Sequence, residues 1–387
     1  AFNHILTFPI VPEHLLSGII PSTVRENSFS NYPVGSGPFK FRFTQNIDTA
    51  SSRKVIYMAN NQDYYNGTTH LARFQLHIYD TRDAIIRALA LNEVNAAAGL
   101  HSTDLTNIDD KRYEVDTAPV QSGVYAIINT KSEALKDIEV RRALQIGTDT
   151  QAIREKIPVS VPSLDLPFTN NQLTGGVPKA PSFDHAAAAA LLDKAGWKLN
   201  GENIRVKDKK ELKLSVVTVK NSEFERVLEG LAGQWRSLGI VVEAQIVDPN
   251  DVAQGFVQNV LQPRSYDVLV YQLNIGADPD VYAYWHSSQT SAQGFNFANY
   301  SNAVSDDALS SARARAEPDL RNAKYITFAK QWLSDVPAIG LYQSTTQYVH
   351  SRNVRSFDKS TTLVSPIDRY SDVLQWSVGS RSVYKTP

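Results

Sequence analysis

The residues in this chain whose types and spacing could do chemistry sit closest together in NIGADPDVYAYWHSS, residues 274–288. Two carboxylates, Asp278 and Asp280, flank a proline, and three large aromatics, Tyr282, Tyr284 and Trp285, follow. Such a group can supply the acid and base of a sugar hydrolase, ligate a metal, or form the wall of a pocket that only binds. The other reactive residue types narrow that choice. The eight histidines, at 4, 14, 70, 77, 101, 185, 286 and 350, never recur three or four residues apart and form no HExxH, so a zinc site built on one helix is excluded. Cysteine is absent, which removes disulfides, thiolate metal sites and a cysteine nucleophile. GSGPF at 35–39 is too short for a dinucleotide fingerprint and precedes a strand-like FKFRF; no GxxxxGK[ST] and no GxSxG occur. DPD carries too few carboxylates for a calcium loop. No nucleophile, metal site or cofactor is therefore expected. A carboxylate pair for sugar hydrolysis stays open, since a partner can be distant in the chain. Asp-Pro-Asp is also a common turn or helix N-cap, and the aromatics also suit plain packing.

Position bears on function more than residue type does. The segment follows YDVLVYQ, a strand-like run, so it lies at a strand's C-terminal end, where open α/β sheets place ligands. The elements that must hold it are legible. ELKLSVVTV alternates Leu212, Leu214 and Val216; NSEFERVLEGLAGQWRSLG puts Phe224, Val227, Leu228, Leu231, Trp235 and Leu238 on one helical face; IVVEAQIV resumes period two. Asn221 or Ser222 can cap that helix and Gly239 can end it. RFQLHIYD, TRDAIIRALALNE and VNAAAGL repeat the same order, with Asp80 or Thr81 as cap. Each unit predicts two parallel strands bridged by a helix, hence two α/β lobes. SFDHAAAAALLDKAGW predicts a helix stopped at Gly196, and DIEVRRALQIGTDTQAIRE a helix capped by Asp137. Residues 158–182 carry five prolines and two glycines and read as a long surface connection folded against its lobe.

A chain of 387 residues exceeds what one core usually serves, so two domains are the expectation. The net charge is −1, from 39 basic and 40 acidic residues, so nothing draws the chain to nucleic acid or an anionic membrane. No apolar run reaches the ~18 residues a membrane span needs. The opening AFNHILTFPIVPEHLL reads as the middle of a domain, which points to a processed or trimmed chain.

The order of motifs resembles the extracytoplasmic solute-binding proteins of ABC importers, family 5, the peptide-, oligopeptide- and nickel-binding type. FPIVPEHLL is similar to the family's proline-histidine segment, VGSGPFKF to its glycine-rich element, and ANNQDYYNG to the stretch that follows. GVYAIINTKSEALKDIEVRRALQIGTDTQAI resembles its hinge strand and VRxAL helix, and HAAAAALLDKAGW its AxxLLxxAGW helix. YDVLVYQLNIGADPD resembles its tyrosine-aspartate strand and DP turn, and VPAIGLYQ its return strand. The resemblance implies a type II periplasmic-binding-protein-like α/β fold: two lobes of mixed sheets flanked by helices, joined by a two-strand hinge and closing around a solute. Residues 1–128 and 345–387 would build lobe I and 129–344 lobe II. It also implies a non-catalytic role, a peptide-like or other small polar ligand, ABC permease subunits as partners, no nucleic acid, a monomer, and an extracytoplasmic location.

Two departures matter. The family's signal sequence and roughly its first 150 residues are not seen here, so a membrane anchor would belong to a missing N-terminal portion. Peptide-binding members hold the α-ammonium with an aspartate ahead of the DP turn; here Ile275 takes that position and Gln272 that of the preceding tryptophan. The expected ligand-binding residues are Tyr125 near the first hinge strand, with Tyr271, Gln272, Asn274, Asp278 and Asp280 at the lobe II strand end. The alternatives are an interaction or signalling domain working through the 158–182 loop, and a carboxylate-pair hydrolase.

Overall fold

The computed structural model describes residues 10–48, 53–360 and 362–379; AFNHILTFP, residues 1–9, lies outside them. The described chain forms two compact units, residues 119–345 and the segments before 119 and after 345.

In the unit built from the chain's two ends, β1 (Phe39–Asp48), β2 (Arg53–Asn60) and β3 (Arg73–Ile78) form an antiparallel sheet. A helix, Arg82–Ala90, follows with Thr81 as its cap, the hydroxyl accepting from the Ala84 amide. Then come β4 (Ala96–Ala98) and the start of β5 (Tyr113–Ile128). The strand-helix-strand unit expected here is not formed. β3 pairs antiparallel with β2 from Arg73 to Ile78, and β4 pairs antiparallel with the returning strand at Tyr348–His350. Period two reports which faces a strand buries and not which strand it will join, and the neighbouring β2 satisfies β3 residue for residue.

The second expected unit is formed. In residues 119–345 a small antiparallel sheet of β6 (Lys198–Leu199), β7 (Arg205–Lys207) and β8 (Lys210–Glu211) precedes β9 (Lys213–Val219). The helix Ser222–Ser237 carries the chain to β10 (Val241–Val247), which runs parallel to β9 in register from Val241 to Val247. Asn221 caps the helix, accepting from the Glu223 and Phe224 amides, and Gly239 ends it at φ +86°, a conformation L side chains rarely adopt. β11 (Val268–Asn274) and β12 (Ala338–Ser351) complete the order β10-β9-β11-β5-β12. β5 and β12 each carry the chain from one unit to the other.

This sheet is covered on both faces. Val124, Ala126, Val268 and Val270 pack with Val227, Leu228, Leu231 and Trp235 of the bridging helix. Tyr125, Ile127, Leu269 and Leu273 pack with Trp285, Phe328 and Trp332. Each such side chain fully removed from water stabilises the fold by about 1.5–3 kcal/mol, which is why central strands read as unbroken apolar runs. The predicted helix at 138–154 is broken into Ile138–Ile146 and Thr150–Arg154, with Asp149 capping the second. At the break, a Cβ on Gly147 would stand 2.7 Å from Leu238. The 158–182 connection buries Leu164, Leu166 and Phe168 against the second face. Gly340 lets it approach, since a Cβ there would lie 2.3 Å from the Leu164 carbonyl oxygen. After β12, β13 (Val354–Arg355) pairs with β14 (Ser377–Val378).

Candidate functional site

The site is built at the C-terminal end of β11. Antiparallel pairing sets Gln272 opposite Val124 and Asn274 opposite Ser122. On the face where Val268 and Val270 lie in the core, the next two residues of the same parity are Gln272 and Asn274. The apolar cover ends there: Gln272 is half-buried and Asn274 exposed. Their side chains meet. The Ser122 hydroxyl donates to Asn274 Oδ1 at 2.9 Å, and Gln272 Nε2 donates to the same oxygen at 3.2 Å. From the other side the Tyr284 hydroxyl donates to the Asn274 carbonyl at 2.6 Å. Burial raises the Tyr284 phenol pKa despite that bond.

The strand end is clamped. The Ile275 and Gly276 amides both donate to the Gln121 carbonyl, at 2.9 and 3.0 Å, and Gly276 takes φ +83° as the chain turns. The 158–182 connection reaches this point: Gln172 Nε2 donates to the Gly276 carbonyl at 2.8 Å, and the Thr169 hydroxyl bonds the Gln121 side chain. Ser122, Thr169 and Gln172 were missed from sequence. Only the strand register, which sets Ser122 against Asn274, could have pointed to the first, and nothing local points to the other two.

The expected site residues separate into three groups. Gln272 and Asn274 come together as described. Tyr125 and Tyr271 face each other across the strand pair on the opposite face of the sheet. Tyr125 is a correction to the expectation. It is fully buried, its hydroxyl donates to the Leu166 carbonyl at 3.0 Å, and its ring meets Trp285 and Trp332 edge-on; burial pushes its phenol far above the ordinary range. The alternation that exposes Gln272 and Asn274 turns Tyr125 into the core. Tyr271 is half-buried between Phe256 and Phe297.

The two aspartates are engaged by arginines. Asp278 pairs with Arg321 at 2.7 Å, both side chains 11% exposed, and Asp280 pairs with Arg313 at 2.7 Å. Burial would lower the Arg321 pKa, but the Asp278 hydrogen bond and the Tyr325 and Asp278 charges outweigh it and leave it raised. The helices that supply these arginines, Ala303–Ala314 and Pro318–Asp335, are thereby tied to the turn. Asp280 also accepts from the Tyr282 amide at 3.3 Å, the turn-capping role open to it from sequence. Arg313 lies 4.3 Å from the centroid of Tyr282, whose ring stacks on His286 at 4.1 Å. Among the described residues no cluster of three or more metal-ligating side chains is found. No helix among them is long and apolar enough to cross a membrane.

Known proteins share this chain's sequence pattern and its fold. The model of bacterial extracellular solute-binding proteins, family 5 (middle region), matches residues 2–295. The oligopeptide-binding protein AppA of Bacillus subtilis is 26% identical over 361 residues, which cover 90% of this chain and 64% of that protein. The chain therefore spans a little under two thirds of that relative's length. The solved structure of AppA from Bacillus subtilis in complex with a nonapeptide superposes with a TM-score of 0.71 at 24% identity, covering 98% of this chain and 74% of that one. NikZ from Campylobacter jejuni in complex with Ni(L-His) gives 0.72 at 21% identity, over 95% and 72%. At these identities the superpositions establish the fold, the expected type II periplasmic-binding-protein architecture of mixed sheets flanked by helices. Since the family match covers most of the sequence and the fold agrees with it, the chain belongs to the bacterial extracellular solute-binding proteins of family 5.

Proposed function

We propose that this protein is the non-catalytic solute-binding component of an ABC importer. It captures a peptide-like or other small polar solute outside the cytoplasm and delivers it, as a monomer, to membrane permease subunits. The observation that carries the reading is the polar rim of Ser122, Gln272 and Asn274 at the C-terminal end of β11. Open α/β sheets place ligands at that position, and this rim stands where the apolar cover of the sheet stops. Tyr271, Asp278 and Asp280 belong to the proposal as supports. The tyrosine backs the strand from its other face, and the aspartates fix the turn that follows.

Two observations weigh against the alternatives. A carboxylate pair for hydrolysis needs one acid free to give a proton and one base free to take it, whereas Asp278 and Asp280 are each held by an arginine. An interaction surface on the 158–182 connection would present its large apolar residues, whereas Leu164, Leu166 and Phe168 point inward and Val177 is exposed.

Thermal unfolding against a panel of short peptides, N-capped peptides, oligosaccharides and nickel chelates tests the reading. A ligand that prefers the native state raises the midpoint by mass action, by about 2.7 kcal/mol of apparent stability at a hundred times its Kd. A shift with one class supports the proposal; the absence of a shift with every class speaks against it.

A further inference from the structure

The Asn274 side chain is held by its oxygen. Oδ1 accepts two hydrogen bonds, from Ser122 and Gln272, and on this exposed side chain the amide nitrogen, Nδ2, remains available to donate. The Gln272 side chain uses its own nitrogen in that contact, so its carbonyl oxygen, Oε1, remains available to accept. The two residues stand two apart on one strand face, so a donor and an acceptor are available at neighbouring positions. The two carboxylates of the following turn are paired with cations. Asp278 is paired with Arg321 and Asp280 with Arg313. Glu223, from the helix packed on this face, keeps its charge and is held by the Tyr342 hydroxyl, which donates to it at 2.8 Å. Ile275, the next residue of the strand end, is 9% exposed and packs in the second core.

We infer that the part of the solute seated on this unit is uncharged, an amide or hydroxyl group that accepts from Asn274 Nδ2 and donates to Gln272 Oε1. The inference rests on the solute-binding reading above and deepens it by naming the chemistry recognised. A charged group placed here would lose its hydration and gain hydrogen bonds from neutral amides only. An uncharged donor–acceptor group exchanges water for equivalent partners at little cost. Main-chain amides of a peptide with blocked termini and the hydroxyls of a neutral oligosaccharide share this chemistry.

Asn274→Asp is the decisive variant. An aspartate keeps one oxygen where Oδ1 accepts from Ser122 and Gln272, so the internal bonds survive. The available donor becomes a charged acceptor. Calorimetric titration of the 387-residue chain would use three probes: an N-acetylated, C-amidated tri-alanine, tri-alanine with free termini, and maltotriose. The expected result is binding of the blocked peptide or of maltotriose, whichever carries the right spacing. Its Kd should change by less than about twofold between about 0.05 and 0.5 M salt, since no ion pair is screened. Free tri-alanine should bind at least about tenfold more weakly, and Asn274→Asp should narrow or reverse that order. Tighter binding of the free peptide by the parent chain, with affinity falling steeply in salt, overturns the inference while leaving the solute-binding reading intact. Equal affinities in Asn274→Asp and the parent chain also overturn it. Failure of the parent chain to bind any of the three counts against the solute-binding reading itself, and the inference falls with it.

Discussion

His350 and Asp116 predict a specific loss of stability with rising pH. His350 lies on β12 and Asp116 on β5, in the unit formed by the chain's two ends, and both residues are buried. His350 Nε2 lies 2.9 Å from Asp116 Oδ2, and Nδ1 lies 3.1 Å from the Ser351 carbonyl oxygen. Both ring nitrogens thus face acceptors, and only the doubly protonated imidazolium satisfies both. The Asp116 carboxylate is completed by the Ser356 hydroxyl at 2.9 Å and Lys359 Nζ at 3.0 Å. Nearby, Glu114 is paired with Arg352, and the Tyr348 ring lies 6.2 Å from the imidazole.

The Asp116 hydrogen bond outweighs burial and raises the His350 pKa above its ordinary 6.5. A group whose pKa is raised on folding contributes its full stability below the unfolded value and loses it as the pH climbs through the folded one. Deprotonation removes one charge-assisted hydrogen bond, about 1.5–3 kcal/mol; since Ser356 and Lys359 still hold Asp116, a loss near the lower end, about 2 kcal/mol, is expected. Asp116 behaves oppositely. Burial would raise its pKa, but the bonds from His350, Lys359 and Ser356 prevail and hold it at about 2, so its contribution is lost only as the pH falls from 3.8 toward that value. Denaturant unfolding of the parent chain and of His350→Gln at about pH 5.5 and about pH 8.5 measures the difference. The parent should lose about 2 kcal/mol more than the variant between the two conditions. An identical pH dependence in both proteins would refute the reasoning.

Other perturbations follow from the same structure. Arg321→Met takes from Asp278 the arginine of an ion pair whose side chains are each 11% exposed; unfolding should show a loss of up to about 3–5 kcal/mol, partly recovered by adding Asp278→Asn. Gly340→Ala puts a Cβ 2.3 Å from the Leu164 carbonyl, so the 158–182 connection should lift from the sheet and become cleavable in limited proteolysis, while the parent chain resists. Asn221→Ala removes the acceptor of the Glu223 and Phe224 amides and should cost about 1 kcal/mol in denaturant unfolding, with no change in ligand affinity.

What could be read from sequence was whatever depends on neighbours along the chain. The helix Ser222–Ser237, with Asn221 before it and Gly239 after, was legible because capping and left-handed termination are local. The parallel β9–β10 pair was legible because one helix joins two alternating strands. The order of motifs carried the family. Tertiary structure decided the rest. It gave β3 to β2 instead of β4, because alternation names faces and leaves partners open. It sent Tyr125 into the core and set Ser122 beside Asn274, because both outcomes follow from the register between β5 and β11, strands separated by some 140 residues that no local pattern couples. It also spent Asp278 and Asp280 on Arg321 and Arg313, whose helices come later in the chain. A carboxylate's chemistry depends on the charge beside it, and only the folded chain determines which charge that is.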